Sequence, residues 1–458
     1  MELNNNNNIN LDILIENAKI ITMNDNEEII NDGFVGIQND EIKIIDEMDN
    51  YNKNITAEKY LKAKGKIVFP GLINTHTHAY QILLKGLGAD LKLMDWVKAV
   101  VAPYSQKITK EINYYAALLV ALESLQSGCT TVADFFYAHH QPKLSDGVIE
   151  GFLDMGIRGL MIRNFHDCGV ENGIPEAYLE TPEEAFEDVE RLINKYELES
   201  DGMMKIWTGP GVTWGISKRG LEATVEYSKS NNIPYSIHLL ETEDDNKHIE
   251  KEYNKKAIEL MEEVGFLTPN LLAAHCVKLT DEECKVLGSN GVNVAYNAAS
   301  NMYLGSGIPP IIKLRNSGSK ISLGTDGAAS NNSMDMIETL KLSALLQKVS
   351  HEKPNIISSE NVLKMATKEA AETLKMDKEV GSLEEGKKAD LFIFNPENPK
   401  SIPMHNPVAT LVYSSSLENV ETTIVNGKIL YENNNFKTKY DKKYIFNKIN
   451  NLMVDLIE

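Results

Sequence analysis

A short apolar run ends in two histidines one residue apart, in the segment Phe69-Pro70-Gly71-Leu72-Ile73-Asn74-Thr75-His76-Thr77-His78. In a β-strand, side chains at positions i and i+2 point to the same face, so His76 and His78 can bind one metal ion together. A His-x-His pair found alone is weak support for a metal site, because two surface or core imidazoles explain it equally well. The segments that follow it along the chain therefore carry the argument.

Three further apolar runs each end at a side chain that can bind a metal or transfer a proton. Parallel (β/α)8 barrels build their active sites at the carboxyl ends of their strands. We therefore expect these side chains to converge at one end of a barrel. The runs are residues 233–237, followed by His238 and Glu241, residues 271–274, followed by His275, and residues 320–325, followed by Asp326.

Apolar runs alternate with helical patterns over some 300 residues in the middle of the chain, which predicts an α/β protein with a (β/α)8 TIM barrel. Both chain ends instead contain short β-branched runs separated by turn residues. Neither end has enough strands to bury a sheet alone, so we expect the two ends to form one β-sandwich. The predicted strands at the ends are residues 11–15, 18–22, 33–37 and 41–45, and residues 390–394, 409–413, 420–425 and 428–431.

The predicted domain organisation has four parts. They are the N-terminal part of the sandwich (1–67), the barrel (68–376), the C-terminal part of the sandwich (377–435) and a C-terminal helix (436–458).

Bulk composition limits the classes of partner. The chain has 458 residues, a net charge of −20 and no basic block, which argues against a nucleic-acid surface. No apolar run approaches the roughly 20 residues that cross a bilayer, and the start has no signal-peptide pattern. We therefore expect a cytoplasmic protein with a small-molecule substrate and no membrane or nucleic-acid partner. The asparagine-rich residues 4–8 predict a disordered leader.

Four cysteines occur without CxxC spacing, and no disulfide framework is predicted. Cys276 follows His275 directly, but its apolar surroundings favour a buried structural thiol over a nucleophile.

These motifs together resemble the amidohydrolase superfamily, in particular the branch of methylthioadenosine/S-adenosylhomocysteine deaminases and triazine hydrolases such as atrazine chlorohydrolase. The resemblance covers nearly the whole chain in family order and implies the same barrel and split sandwich. The matching segments are residues 70–78, 238–241, 274–277, 300–307, 324–331 and 381–391.

The predicted metal ligands are three imidazoles and one carboxylate, a donor set that suits one hydrolytic Zn²⁺ or Fe²⁺ ion. They are His76, His78, His238 and Asp326. Superfamily members with two metals use an extra lysine or carboxylate at the end of the fourth barrel strand. Here that strand ends in glycines and has Lys205 near its start, which favours a mononuclear site.

Three residues receive catalytic roles. A bound metal makes hydroxide available near neutral pH, and Asp326 can accept the proton of that water. Glu241 can protonate a ring nitrogen of the substrate, and His275 can orient the water and stabilise the tetrahedral intermediate. This chemistry suits an amidine-like ring carbon, with ammonia leaving.

Several charged and imidazole side chains have a plainer interpretation. Glu241 begins an acidic run, and we assign residues 243–245 to a solvated face. His139, His140 and His166 follow predicted strands and either line the cleft or lie in solvated loops. Surface or structural roles are expected for His248, His351 and His405.

Departures from the family pattern bear on the choice of substrate. Where the nucleoside deaminases have a ribose-binding glutamate and a histidine, this chain has Ser105 and Gly211, so nucleoside recognition is in doubt. Arg163 matches an arginine of that pattern without a second arginine after it. Gly327 departs from the asparagine of the triazine hydrolases. The candidate substrate-binding residues are Tyr104, Ser105, Arg163, Gly211, Trp214, Asn301 and Tyr303, and further aromatic candidates are Tyr137 and Trp207.

We expect a metal-dependent hydrolytic deaminase of an amino-substituted heteroaromatic ring, such as a purine, pterin, pyrimidine, triazine or adenosine-like compound. Two alternatives stay open. One is displacement of a halide or thioether from the same kind of ring, and the other is a non-catalytic scaffold that keeps the fold. A homo-oligomer, either a dimer or a tetramer, is expected.

Overall fold

Two β-sheets organise the chain in the computed structural model, which describes residues 9–457. One sheet has eight parallel strands and the other has nine strands in mixed orientation. The leader at residues 4–8, for which disorder was expected, lies outside the described residues.

The eight parallel strands form the predicted barrel, in which each strand neighbours the next one along the chain. The first and last strands meet through polar bonds: the Asp326 N–H donates to the His76 carbonyl at 2.9 Å, and the Asn74 amide donates to the Thr325 hydroxyl at 2.8 Å. The barrel strands are β6 (Leu72–Thr77), β7 (Cys129–Phe136), β8 (Arg158–Phe165), β9 (Met204–Pro210), β10 (Tyr235–Leu239), β11 (Leu271–His275), β12 (Asn293–Tyr296) and β13 (Ile321–Leu323).

Helices follow most barrel strands and cover the outside of the barrel. None of the helices within residues 9–457 combines the length and the apolar composition that a bilayer span requires. They are α1 (Leu93–Trp96), α2 (Ala102–Ser105), α3 (Lys110–Gln126), α4 (Leu144–Met155), α5 (Pro182–Leu192), α6 (Lys218–Asn231), α7 (Asp244–Tyr253), α8 (Ala257–Glu263), α9 (Asp281–Ser289), α10 (Ala298–Tyr303), α11 (Ile311–Ser317), α12 (Ala328–Asn331), α13 (Met336–Ser350), α14 (Ser359–Met365), α15 (Lys368–Thr373), α16 (Pro407–Tyr413) and α17 (Lys442–Ile457).

The mixed sheet combines both chain ends, as predicted. Its two halves join where Phe69 pairs with Phe392 across adjacent antiparallel strands. Ile15, Ile37 and Ile424, from both ends, pack in one buried cluster. Its strands are β1 (Ile9–Ile21), β2 (Ile29–Gln38), β3 (Glu41–Glu47), β4 (Ile55–Lys62), β5 (Ile67–Pro70), β14 (Leu391–Phe394), β15 (Val420–Val425), β16 (Lys428–Glu432) and β17 (Asn435–Phe436).

The strand prediction for residues 409–413 is wrong, because these residues belong to helix α16. The Asn406 side chain accepts the Ala409 N–H and caps the helix, while Pro407 occupies the first turn, where a missing N–H costs nothing. This capping signal outweighs the β-branched composition that suggested a strand.

Two other differences concern the N-terminal strands. The runs 11–15 and 18–22 form most of the single strand β1, which contains register shifts between Ile15 and Ile20. Strand β4 was not predicted, because its outward positions carry charged side chains and its partner is β1, far away in sequence.

Candidate metal centre and active site

The four predicted metal ligands lie together at the carboxyl end of the barrel. His76 and His78 come from β6, His238 comes from β10, and Asp326 follows β13. One donor atom from each lies within 4.8 Å of the others, and all four side chains are buried. The strand ends therefore bring distant parts of the chain to one point.

Hydrogen bonds from the protein fix how two of these histidines present their nitrogens. The Nδ1–H of His78 donates to the Phe135 carbonyl at 2.7 Å, and that of His238 donates to the Gly211 carbonyl at 2.8 Å. When both rings are neutral, as metal binding requires, each Nε2 atom carries a lone pair, and the two Nε2 atoms are 3.2 Å apart. Two lone pairs repel unless a cation lies between them, and tetrahedral zinc with bonds near 2.0–2.1 Å sets its nitrogens about 3.3 Å apart. The donor set fits a divalent metal ion.

The third histidine supports the same conclusion. Both ring nitrogens of His76 are buried without a hydrogen-bond partner among the described residues. Burial lowers the pKa of His76 to about 4, so the ring is neutral at pH 7 and can coordinate metal. Because an unpartnered buried nitrogen is costly, its orientation toward the other ligands is explained by a metal partner.

Asp326 is held as a carboxylate. Burial opposes ionisation, but the imidazoles of His76 and His78 outweigh burial and hold the pKa of Asp326 well below the ordinary value of an aspartate. The carboxylate also accepts hydrogen bonds from the Ser300 hydroxyl at 2.6 Å and the Ser330 hydroxyl at 3.0 Å. One carboxylate can therefore face the ligand cluster and a reacting water at once.

Glu241 and His275 lie beside this cluster. The His275 Nε2 atom is 3.7 Å from Glu241 Oε2 and 3.9 Å from Asp326 Oδ2. Burial raises the pKa of Glu241, which favours its protonated form. Burial would lower the pKa of His275, but the carboxylates of Glu241 and Asp326 outweigh burial and raise it. Neighbouring acid and base groups with shifted pKa values are suited to proton transfer.

Backbone strain occurs at the same positions. His275 and Asp326 have left-handed φ angles of 71° and 64°, and Leu240, directly before Glu241, has 48°. Such a conformation costs a side-chain-bearing residue on the order of 1–3 kcal/mol and is concentrated at functional sites. Here the strained residues lie at or beside the groups that converge on the cavity.

Asp245 differs from its predicted solvated position, because its side chain is fully buried. It accepts the backbone N–H groups of Leu240 at 3.2 Å and Thr242 at 3.1 Å, which flank Glu241 on both sides. It also accepts the Thr213 hydroxyl at 2.9 Å. The acidic run therefore contains an anchor for the Glu241 turn, whereas Glu243 is exposed as expected.

A cavity opens above the ligand cluster. Of the candidate substrate-binding residues, Ser105 and Trp214 line it, and so does Tyr137. Apolar and aromatic side chains form most of the remaining wall, and none of the described residues that line it is a lysine or an arginine. The wall residues outside the catalytic set are Gln81, Leu93, Trp96, Val97, Val101, Ala102, Ser105, Tyr137, His166, Gly173, Ile174, Pro175, Tyr178, Val212, Trp214 and Leu304.

Other candidate substrate-binding residues lie behind the wall. The Arg163 guanidinium donates to Glu180 at 2.8 Å and to Asp188 at 3.0 Å, so these carboxylates already neutralise its charge. Asn301 accepts a hydrogen bond from His275 Nδ1 at 2.9 Å and supports that ring. The structure does not place Tyr104, Arg163, Gly211, Asn301, Tyr303 or Trp207 in the lining of the cavity.

The remaining histidines differ in whether they line the cavity. His166 lines the cavity, whereas His139 donates to the Phe136 carbonyl and His140 lies outside the lining. His248 and His351 are half-buried and His405 is exposed. Cys276 is fully buried, and burial raises the pKa of its thiol, in agreement with the predicted structural role.

Most wall residues were not proposed from the sequence, among them Gln81, Trp96 and Tyr178. Gln81 stands three residues after His78, a spacing that could have been noticed. A Cβ atom at position 327 would lie 1.9 Å from the Oε1 atom of Gln81. The glycine that departs from the triazine-hydrolase pattern thus makes room for a cavity residue.

Lys205 lies away from the metal ligands. It begins the fourth barrel strand, and its ammonium group is 3.8 Å from Glu197 and 3.9 Å from Glu379. It is therefore not in position to act as a second-metal ligand.

Comparison with known proteins gives the same picture for the whole chain. The model of the amidohydrolase family matches residues 67–430. A 5-methylthioadenosine/S-adenosylhomocysteine deaminase of Acetivibrio thermocellus is 33% identical over 440 residues, which cover 95% of this chain and 98% of that protein. A 5′-deoxyadenosine deaminase of Methanosarcina barkeri is 36% identical over 423 residues, 92% of this chain and 93% of that protein.

Solved structures share the architecture. An atrazine chlorohydrolase from Arthrobacter aurescens, complexed with zinc, superposes with a TM-score of 0.89 at 26% identity and covers 96% of this chain and 100% of that one. An adenosine deaminase from Xanthomonas campestris with bound zinc gives a TM-score of 0.90 at 22% identity, covering 98% and 99% of the two chains. Sequence match, barrel and ligand geometry agree: the chain belongs to the amidohydrolase family.

Proposed function

We propose that this protein is a metal-dependent hydrolase that deaminates the adenine ring of an adenosine-like nucleoside. The observation that carries this proposal is the grouping of Glu241, His275 and Asp326 around the ligand cluster, at the floor of a cavity with aromatic walls. The similarity to deaminases of adenine nucleosides over more than nine-tenths of the chain supports the choice of ring.

The proposed roles of the residues follow from their protonation states. A divalent metal, when bound, lowers the pKa of water toward roughly 7. Asp326, an ionised acceptor, takes the proton of the attacking water. Glu241, whose protonated form burial favours, delivers a proton to the ring nitrogen next to the attacked carbon. His275, between the two carboxylates, orients the water and stabilises the developing negative charge. The water oxygen bonds to the ring carbon, Asp326 passes its proton to the amino group, and the C–N bond breaks so that ammonia leaves. As the product carbonyl forms, its hydroxyl proton returns to Glu241.

The wall of the cavity favours a substrate without a charged tail. Trp96, Tyr137, Tyr178 and Trp214 offer aromatic surface for a flat ring. The described lining has no lysine or arginine, and Arg163, the arginine proposed from the sequence, is already paired with two acidic side chains. A carboxylate tail would therefore lose its hydration without gaining a cation. We propose a neutral 5′-substituent, such as a deoxy or methylthio group, in preference to a homocysteine tail.

We also propose a single zinc ion as the metal, held by His76, His78, His238 and Asp326. The 3.2 Å separation of the two Nε2 atoms, the position of Lys205 away from the site and the zinc in two similar structures support this assignment. A homo-oligomeric assembly remains part of the proposal.

The test measures ammonia release by the metal-loaded protein from 5′-deoxyadenosine, methylthioadenosine, S-adenosylhomocysteine and free adenine, and chloride release from atrazine. We expect the two neutral nucleosides to be the best substrates and S-adenosylhomocysteine to be at least about 10-fold poorer in kcat/KM, the cost of one unpaired charge-assisted hydrogen bond. Asp326→Asn serves as the inactive control. Chloride release from atrazine without nucleoside turnover would refute the proposal and favour the alternative leaving-group chemistry.

A further inference from the structure

The polar groups of the cavity wall differ in whether the protein already satisfies them. The Tyr137 hydroxyl is hydrogen-bonded to the Tyr80 hydroxyl at 2.7 Å, and the Tyr178 hydroxyl donates to Ser105 at 2.5 Å. His166 differs from these hydroxyls, because its Nε2 atom has no hydrogen-bond partner among the described residues and the ring lines the cavity, whereas its Nδ1 atom is buried against Gly215. Only 2% of His166 is exposed. The Nε2 atom is therefore available for a partner in the cavity.

Two glycines make room for this ring. A Cβ atom at Gly211 would lie 2.2 Å from His166 Cε1, and one at Gly215 would lie 2.5 Å from His166 Nδ1. Since neither distance is tolerated by a real side chain, the ring position depends on glycine at both sites. The carbonyl of Gly211 also accepts the Nδ1–H of the ligand His238. His166 therefore packs directly beside the support of the metal centre.

The protonation state limits what this imidazole can bind. Burial lowers the pKa of His166 to about 4, against a smaller opposing effect of the Gly215 backbone. The ring is neutral at pH 7, with one donor and one acceptor nitrogen. A neutral ring offers no charge to an anion, and none of the described residues in the cavity wall is a lysine or an arginine, so the partner of this ring is an uncharged hydrogen-bonding group.

We propose that His166 is a substrate-binding residue that hydrogen-bonds an uncharged group of the substrate, either a ribose hydroxyl or a nitrogen of the heteroaromatic ring. This inference rests on the proposed function and goes beyond it, since it assigns recognition to a residue outside the metal and proton-transfer set. Because the His166 ring acts in binding, its loss should change KM and the Kd of the product and leave kcat nearly unchanged.

The test compares His166→Phe with His140→Phe in the metal-loaded protein. Phenylalanine keeps a flat ring against Gly211 and Gly215 but cannot form hydrogen bonds. His140 is a matched control, because its buried ring nitrogens have no hydrogen-bond partner within residues 9–457, yet it does not line the cavity. Each variant is measured for metal content, for kcat and KM, and for the Kd of the inosine-type product by quenching of tryptophan fluorescence, since Trp96 and Trp214 line the cavity.

We expect His166→Phe to raise KM and the product Kd about 10-fold, the effect of one hydrogen bond, with full metal content and kcat changed less than about 3-fold. Gly215→Ala, which displaces the ring without removing it, is expected to act in the same direction. His140→Phe is expected to leave both constants unchanged. Unchanged constants in His166→Phe would overturn the proposal, and so would joint loss of metal and kcat, which would mark the ring as structural support.

A comparison of two products distinguishes a ribose hydroxyl from a ring nitrogen as the partner of His166. If His166 binds a ribose hydroxyl, His166→Phe weakens binding of the nucleoside product but not of hypoxanthine, whereas a ring-nitrogen partner weakens both. Product binding is measured without turnover. A protein that binds product through His166 but deaminates nothing would refute the proposed function while supporting this inference.

Discussion

The floor and the wall of the cavity are built in different ways. At the floor, ligands and catalytic groups come from the ends of β6, β10, β11 and β13, or directly follow them, and hydrogen bonds orient most of their polar atoms. The wall is built largely from helix α1, helix α2 and the segment 173–178, which contribute mainly apolar surface. Strands give the floor its rigidity, while connecting segments tolerate change. Reaction type and substrate choice are thus encoded in separable parts of the molecule.

The sharpest test of this separation is the removal of a ligand from the floor. Asp326→Asn should reduce bound metal to below about one-tenth of an equivalent and lower kcat/KM by about 10³-fold or more, because both coordination and proton acceptance depend on the carboxylate. Metal analysis and ammonia release measure the two effects. A variant that keeps its metal and its rate would show that the floor is assigned incorrectly.

Glu241→Gln should separate proton transfer from metal binding. We expect kcat to fall roughly 10²-fold with metal retained, because the amide keeps the shape but cannot deliver a proton. Burial raises the pKa of Glu241, and the protonated form is the active one, so wild-type kcat should fall as pH rises through that pKa. The variant should lose this alkaline limb of the pH–rate profile. A normal kcat would leave Glu241 without a role.

Asp245→Asn probes the support beneath the floor. Asparagine cannot accept both the Leu240 and the Thr242 N–H groups as the carboxylate does, so the Glu241 turn should loosen and kcat should fall about 10-fold with KM unchanged. Asp245→Glu, which keeps the carboxylate, is the conservative comparison. Equal kcat in wild type and Asp245→Asn would show that the turn holds its shape without this anchor.

The same residue makes a prediction about stability. Burial raises the pKa of Asp245 to about 7, above its value in the unfolded chain. Between about pH 4 and 7 the native state then binds more protons than the unfolded state, so this group lowers the free energy of unfolding as pH rises. Over these three pH units, the contribution of Asp245 to the free energy of unfolding falls by an amount on the order of 4 kcal/mol. Denaturant titrations should show the advantage of wild type over Asp245→Asn shrinking from pH 4 to 7, whereas a constant difference would contradict the shift.

The smallest effect is expected in the wall. Tyr178→Phe removes the hydroxyl that donates to Ser105 in the cavity wall. We expect KM to change about 2- to 10-fold, with kcat and metal content close to wild type. Steady-state kinetics on the best nucleoside provides the measurement. A loss of metal in this variant would show that floor and wall are coupled.

The same division explains what the sequence could predict. Ligands at the floor follow apolar strands at recognisable spacings, so His76, His78, His238 and Asp326 could be proposed before the fold was known. The wall depends on how connecting segments fold back over the barrel, and no local pattern indicates that Tyr178 meets Ser105, which is 73 positions away. Local composition also misled: Asp245 resembles a solvated charge and is buried, and residues 409–413 resemble a strand and form a helix.

The bond between the Asp326 N–H and the His76 carbonyl has a consequence for assembly of the protein. His76 lies in the first strand of the barrel and Asp326 follows the last, and the nearby Asn74 and Thr325 form a hydrogen bond across 251 positions of sequence. During synthesis, His76 and His78 therefore cannot join Asp326 in one metal site until almost the whole barrel has been made. A metal bound by both strands joins the two edges of the seam, and its affinity adds to the free energy that keeps the barrel closed. Loading with metal would then report that the barrel has finished folding, and the seam between these strands would be the first part to open when the metal is removed.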